Sequence, residues 1–527
     1  MHRVAQQGQG QTSSDFLVIG SGAGGATLAW QLASGGAKTM LVEAGDWLRP
    51  SAPAPGEPGG IYMGDIHPDR SQPVAFVGGQ TKFYGAALYR LRESDFGAQT
   101  YETGERDAWP ISYETLAPHY DTAEALYHVH GHAAADATEP PRRTALPHGP
   151  LPHSPLVAEM VWRLNAAGAQ TSPIPRSIQY RKAQGPCTLC AHCDAHLCRV
   201  EAKGDADMMA LRPALASGNL VLKTRTKALR ILLDAAGRRA IGVEVEEDGA
   251  RHVLYAGHII VACGLEHTLR LLRRSRCDTH PEGVGNQGGA LGRYLAGHST
   301  GMVFPFVTWG KLPAEHTKTF AINQFYHRGA DWPYPLGVIQ MSGQMPIWRE
   351  AGRVMAPVAR LVGDHALTAF YMSEALPTRQ SGFHFQGDDL ADKHEPDHAM
   401  QSFRKLREIT VDLFRQAGYR VLARRRAPYL WHETGGARMS EDATGGVVDP
   451  HLAVHGMAGL SVCDASVLPS AGAVNTGLTI MALALRLGGH LLGQAALAAN
   501  AQRPATGATP PARPRPLEPT PSPQRID

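Results

Sequence analysis

The stretch Asp15 to Asp46, DFLVIGSGAGGATLAWQLASGGAKTMLVEAGD, leaves a folding chain few choices. Phe16 to Ile19 is an apolar run long enough for a buried parallel strand. Gly20, Gly22 and Gly25 follow in G-x-G-x-x-G spacing, with Ala23 inside the turn. The first glycine permits a tight turn and the second lets a diphosphate approach the backbone. The third lets helix and strand pack closely. Ala26 to Ala33 are good helix formers, and the start of such a helix offers free N–H groups and a positive dipole end to an anion. Lys38 to Val42 reads as a second strand, ending at Glu43 with Ala44 and Gly45 behind it. A carboxylate roughly 20 residues past the glycines accepts hydrogen bonds from a ribose. It also disfavours a 2′-phosphate, so NADP is not expected. Strand, turn, helix, strand and acid in that order specify a dinucleotide-binding unit. The competing reading is a tight turn in an α/β domain whose cleft stays empty.

A chain of 527 residues exceeds one ordinary core, so two domains are expected. Its net charge of +3 is nearly balanced and no long Lys/Arg block occurs, so nucleic acid is not an expected partner. No apolar run reaches the length of a membrane span: the nearest, Leu478 to Leu487, is interrupted by Arg486 and followed by His490. The N-terminus shows no export signal. A cytoplasmic location is therefore the default, with export alongside a signal-bearing partner left open. Nothing in the sequence sets an oligomeric state.

Residues 1–14 are polar and read as disordered, and residues 49–73 are rich in Pro and Gly and read as a surface loop. Helices are expected over Tyr113 to Tyr127 and Leu156 to Ala167. Leu220 to Thr224, Ala228 to Leu233 and Ala240 to Val245 read as a β-meander. His258 to Cys263 reads as a buried strand returning to the first sheet, followed by a helix from His267 to Ser275. Residues 301–430 change character: strand-like, aromatic-rich runs without βαβ spacing suggest an antiparallel sheet. Met400 to Ala417 is an expected helix. A strand at Leu460 to Cys463 and a long helix from Leu478 precede a Pro-rich tail.

The glycine unit, GGQTKFYGAALYR, AKGDAD, VACG, LGRYLAGH, HETGGARM and DASVLPSAGAVNTGLTIMALALR occur in a fixed order. The set resembles the glucose–methanol–choline (GMC) family of FAD-dependent oxidoreductases over most of residues 15–497. The resemblance implies an α/β fold: a discontinuous Rossmann-like FAD-binding domain and an α+β substrate domain built on a six-stranded antiparallel sheet. On this reading residues 15–300 are the first part of the FAD-binding domain, with a cysteine-rich loop at 187–198. Residues 301–430 are the substrate domain, 431–497 the last part of the FAD-binding domain, and 498–527 a disordered tail. The implied chemistry oxidises an alcohol CH–OH to a carbonyl by hydride transfer to flavin.

The resemblance places the diphosphate turn at Gly20, Gly22 and Gly25 and the ribose acid at Glu43. It places the loop beside the isoalloxazine at Gly78 and Gly79, and a late segment against the ribityl–diphosphate at Asp464 and Ala465. The active-site histidine is His432 and its partner Asn475, followed by Thr476. Two features depart from the family pattern. The loop QTKFYG has no histidine, so FAD is expected to be bound non-covalently. The usual Asn-Pro is here Asn475–Thr476.

The residue chemistry agrees. A neutral histidine, with an unperturbed pKa of about 6.5, can take a hydroxyl proton as hydride leaves. An amide beside it orients the same oxygen without titrating. Among 25 histidines His432 stands out by its glycine-rich loop, whereas His298, ending LGRYLAGH, reads as structural. Aromatic residues of the roof (Phe325, Tyr326, Trp332, Tyr334, Tyr371) suit sugar faces or simply core. Cys187, Cys190, Cys193 and Cys198 admit three readings: thiols or local disulfides; an iron–sulfur cluster, since short intervals let thiolates wrap one; or zinc, joined by His192 and His196. The expected partners are a small alcohol or sugar substrate and either oxygen or an external electron carrier. The alternatives are a bulky or sterol-like alcohol as substrate, or a non-redox FAD-containing lyase.

Overall fold

The computed structural model describes residues 14–48, 60–66, 75–181, 185–307, 311–349, 351–423 and 427–501. Five parallel strands form the first sheet, in the order Leu220–Lys223, Thr39–Val42, Ser14–Ile19, Ala250–Val261, Leu460–Val462. Leu17 and Val18 are wholly buried, as the continuous apolar run required of a sheet covered on both faces. The helix Ala23–Ser34 follows the glycine turn, and the C-terminal helix Gly477–Ala501 packs on it. Small residues set their separation: a Cβ on Gly488 would come within 2.6 Å of Gln31, and one on Gly35 within 2.5 Å of Leu492.

Ala250–Val261 serves two arrangements. Its first half pairs antiparallel with Ala240–Glu247, which pairs with Thr226–Leu233, and its second half lies parallel to Ser14–Ile19. The meander is thus these three strands. Leu220–Lys223, expected within it, belongs to the parallel sheet instead, because its short apolar run pairs with the open edge of Thr39–Val42.

Among the described residues the second sheet is antiparallel and has nine strands, where the resemblance implied six. Its spine is the 14-residue strand Arg293–Phe306, flanked by Ala369–Ala375 on one side and by Arg420–Ala423 and Tyr429–Gly436 on the other. The spine runs through the expected boundary at 300/301, and Tyr429–Gly436 runs through that at 430/431. Thr171–Pro173 joins this sheet from far upstream by pairing with Phe320–Ile322. A separate core under the sheet is formed with the helices Pro155–Ala166 and Met400–Gln416, through Val157, Met160, Tyr371, Phe403 and Phe414.

Some expectations need correction at the ends and loops. Ser14 is already strand, and the last helix continues to Ala501 because AALAANA consists almost wholly of strong helix formers. The rest of the two expected disordered ends lies outside the described residues. The expected 49–73 loop lies largely outside them too, but Gly60–Tyr62 is a strand paired with His196–Cys198.

Candidate active site

The glycine turn has the geometry of a diphosphate cradle. Gly20 has φ +100°, and a Cβ there would lie 2.4 Å from the Ala262 carbonyl oxygen. A Cβ on Gly25 would lie 1.9 Å from the Gly20 oxygen, so helix and turn touch directly. A Cβ on Gly22, by contrast, would meet nothing within 4 Å. Gly22 also begins the helix with no side chain capping its N–H groups. Bare backbone and free donors facing open space fit an anionic ligand. Ser21 holds Glu43 in place: its N–H and Oγ both donate to the Glu43 carboxylate, at 3.0 and 2.6 Å, while Gly45 N–H donates to the other oxygen. Gly78 N–H donates to Ser21 Oγ, and a Cβ on Gly79 would lie 2.9 Å from the Gly22 Cα. The paired glycines therefore lie directly on the turn. Ala23 opens the helix and Ala44 is exposed beside Glu43.

Asp464 is buried, and its carboxylate accepts from Gly264 N–H, Thr268 Oγ1, Ser466 N–H and Ser466 Oγ. It ties the start of the helix Leu265–Arg274 to the turn containing Ala465. All four donors are protein groups, so the side chain serves the scaffold.

The antiparallel sheet supplies the titratable groups. Between the pairs Ala296↔Thr434 and His298↔Trp431, two residues, His432 and Glu433, oppose the single residue Gly297. This is a β-bulge, which re-aims a side chain out of the ladder. His432 takes a left-handed φ of +52°, a strained choice for a non-glycine residue. A Cβ on Gly297 would sit 2.8 Å from the Trp431 carbonyl oxygen, so the bulge needs glycine opposite it.

The bulge delivers His432 to Asn475: Nε2 and Nδ2 are 3.4 Å apart. Gln340 Nε2 donates to Asn475 Oδ1 at 3.0 Å. On the other side, His432 Nδ1 is 2.8 Å from Nδ1 of His298, which is wholly buried. Surrounding protein holds His432 below the ordinary histidine value; His298 and Lys318 lower it further and Asp194 opposes them. His432 is nevertheless exposed.

Asn475 is held from behind by a buried network. Arg106 and Trp109 donate to Ser470 Oγ, and Glu374 accepts the N–H groups of Ala471 and Gly472. Tyr326 accepts from Ala473 N–H and donates to Asp95. Burial first, then Glu374, raises Asp95 to about 6. Thr476 is buried and leads into the last helix.

His432 and Asn475 thus come together as expected. Gln340, Lys318 and Asp194 were missed, and His298 was read as structural, since nothing in the local spacing shows which strand faces the bulge. Of the aromatic roof, Tyr326 and Tyr371 are core, Tyr371 packing on Phe403, and half-buried Trp332 donates to Ser402.

The four cysteines need correction. All are free thiols, and among the described residues no three His, Cys, Asp or Glu side chains are grouped to hold a metal. An iron–sulfur or zinc site is not supported. Cys198 lies in the strand paired with Gly60, while Cys193 packs with Ala86, Leu151 and Ile178. Burial opposes ionisation of Cys193, but Arg176, His316 and Lys203 outweigh it and bring the thiol down to about 6. Burial pushes Cys187 up to about 12. The loop is fastened by other residues. Lys203 donates to three carbonyls, those of Lys82, Cys193 and His196, and Asp194 accepts from Lys318 and Gly343 N–H.

Two family models described as GMC oxidoreductase match this chain, one at residues 15–300 and one at 388–484. Paromamine 6′-oxidase of Streptomyces fradiae is 27% identical over 90% of both chains. The 6‴-hydroxyparomomycin C oxidase of Streptomyces lividus is 28% identical, again over 90% of each. The fructose dehydrogenase large subunit of Gluconobacter japonicus is 23% identical over 91% of this chain and 98% of its own. Among solved structures, pyridoxine 4-oxidase superposes with a TM-score of 0.57 at 16% identity, covering 90% of this chain and 99% of that one.

Proposed function

Because the chain belongs to the GMC oxidoreductase family, we propose that it is an FAD-dependent enzyme oxidising a CH–OH group of a sugar, polyol or other small alcohol to the carbonyl. One observation carries the reading: the bulge presents a neutral histidine, His432, to the same opening as the Asn475 amide. The names of relatives acting on paromamine, hydroxyparomomycin and fructose support a small, polar alcohol.

Gly20, Gly22 and Gly25, with the free N–H groups at the start of the first helix, would hold the FAD diphosphate. Glu43 would accept from the ribose, and Gly78–Gly79 would lie beside the ring system. When bound, FAD supplies the acceptor for the hydride. The chain's own residues handle the proton. His432 Nε2 takes it from the substrate hydroxyl as the C–H bond breaks, a role worth about 10²–10⁴ in rate. A pKa below the ordinary range keeps the ring neutral and ready at pH 7. Asn475, steadied by Gln340, orients the hydroxyl. We assign FAD to non-covalent binding, since Gln80 to Gly85 contains no histidine and Lys82 is engaged with Asp205 and Asp207. FAD held in this way would pass its electrons to oxygen or to a carrier that reaches it.

Anaerobic titration with sugars, polyols and aryl alcohols tests this reading. A substrate should bleach the flavin absorbance with release of a carbonyl product. Carbonyl formation without bleaching would mean a lyase. Yellow colour should pass to the supernatant on acid precipitation; colour retained in the pellet would refute non-covalent binding.

A further inference from the structure

His298 is a buried histidine whose hydrogen bonds fix a direction. Its Nε2 lies 3.4 Å from the Ala471 carbonyl oxygen, and a carbonyl only accepts. Burial drives His298 down to about 4, so it is neutral and carries one ring proton. That proton is on Nε2, which leaves Nδ1 as a bare acceptor. The neighbour at 2.8 Å, His432 Nδ1, must then be the donor. A neutral His432 protonated on Nδ1 has its lone pair on Nε2, the nitrogen facing Asn475. The Asn475 amide is consistent: with Oδ1 taken by Gln340, it turns Nδ2 toward that lone pair.

From this chain of hydrogen bonds, from the Ala471 carbonyl through His298 and His432 to Asn475, we infer that His298 is a positioning residue that holds His432 in the Nδ1–H tautomer. The inference rests on His432 being the base. The proton balance is simple. The substrate hydroxyl gives its proton to His432 Nε2 while hydride goes to the flavin. The resulting imidazolium keeps Nδ1–H on His298, in a hydrogen bond now assisted by charge. No proton needs to reach His298. A neutral His298 acts through this bond with Asp194, against the surrounding protein and the Lys318 ammonium; only a charged His298, which burial disfavours, would lower His432 further. Without His298 the neutral ring is free to place its proton on Nε2 and point N–H at the substrate oxygen, where it cannot act as a base.

Three variants and one spectroscopic measurement test the assignment. His298→Leu removes the acceptor; substrate-driven flavin reduction should slow by at least about 10-fold, with little change in the apparent substrate constant and FAD still bound. His298→Asn restores an acceptor oxygen and should recover most of that rate. ¹⁵N spectra of histidine-labelled wild type, assigned by the signals lost in His432→Asn, should show His432 protonated on Nδ1 and bare on Nε2. A wild-type rate in His298→Leu beside a slow His432→Ala would overturn the inference and leave the base intact. An unchanged rate in His432→Ala would remove both. Protonated Nε2 on His432 in the wild-type spectrum would overturn it whether or not the variants fold.

Discussion

The two sheets meet the cleft with opposite materials. The parallel sheet offers absence: Gly22 and Gly79 bring bare backbone together, and the first helix begins without a capping side chain. The antiparallel sheet offers presence: His298, Gln340 and His432 are side chains aimed by strand register and by a bulge. Binding a diphosphate needs N–H groups and room, which any residue's Cβ would spoil. Moving a proton needs one nitrogen in one tautomer, which hydrogen-bonding neighbours define. A substitution in the first sheet should therefore act on cofactor retention and one in the second on rate.

The sharpest break of that contrast is Gly25→Val. Its Cβ would overlap the Gly20 carbonyl oxygen, so the protein should purify colourless and inactive. A yellow product with bound FAD would refute the cradle. Next is His432→Ala, which should keep its FAD and reduce it at least about 10²-fold more slowly, as loss of a general base requires. Stopped-flow absorbance separates the two effects. Gly22→Ala should act less than either: its Cβ touches no protein atom, so apoprotein melting should not move. FAD affinity should fall by about tenfold, the worth of one lost hydrogen bond. An unchanged affinity by fluorescence titration would place the diphosphate elsewhere.

The smallest effect concerns pH and asks whether the sheets differ in acid. His258 in the parallel sheet and His298 in the antiparallel sheet are both brought by burial to about 4. Their unfolded value is about 6.5. The folded state binds fewer protons, so their contribution is complete above the unfolded value. It is lost as pH falls from there toward the folded one. The thermal midpoint should drop between neutral pH and pH 4, and His258→Gln and His298→Asn should each flatten the slope. A slope unaffected by either change would place the acid sensitivity elsewhere.

The same contrast explains what could be read in advance. Gly20, Gly22, Gly25 and Glu43 lie within one βαβ unit, so their geometry follows from local spacing. His432 and Asn475 were legible through motifs around them. His298 was read as structural because its partner lies 134 residues away, across a strand pairing that no local pattern announces. Of the three readings of the cysteines the free thiol holds and the metal readings do not: Cys193 packs on apolar neighbours, and Asp194 and Lys203 hold the loop. Leu220–Lys223 was misplaced because a run of three apolar residues carries no period and only an open sheet edge decides its partner.

The strand Ala250–Val261 joins residues from both ends of the chain, with Ser14–Ile19 on one side and Leu460–Val462 on the other. During synthesis this orders events in time. The first strand leaves the ribosome some 240 residues before the partner that covers its edge, as the pairing of Ile19 with Val261 requires. That partner in turn keeps an open edge until Val462 has emerged. A nascent chain therefore carries an unpaired, apolar strand edge for most of its translation, the kind of surface that recruits chaperones or strays into aggregates. Emergence of the helix Gly477–Ala501, which settles on Ala23–Ser34, is the step that closes the sheet's covering layer.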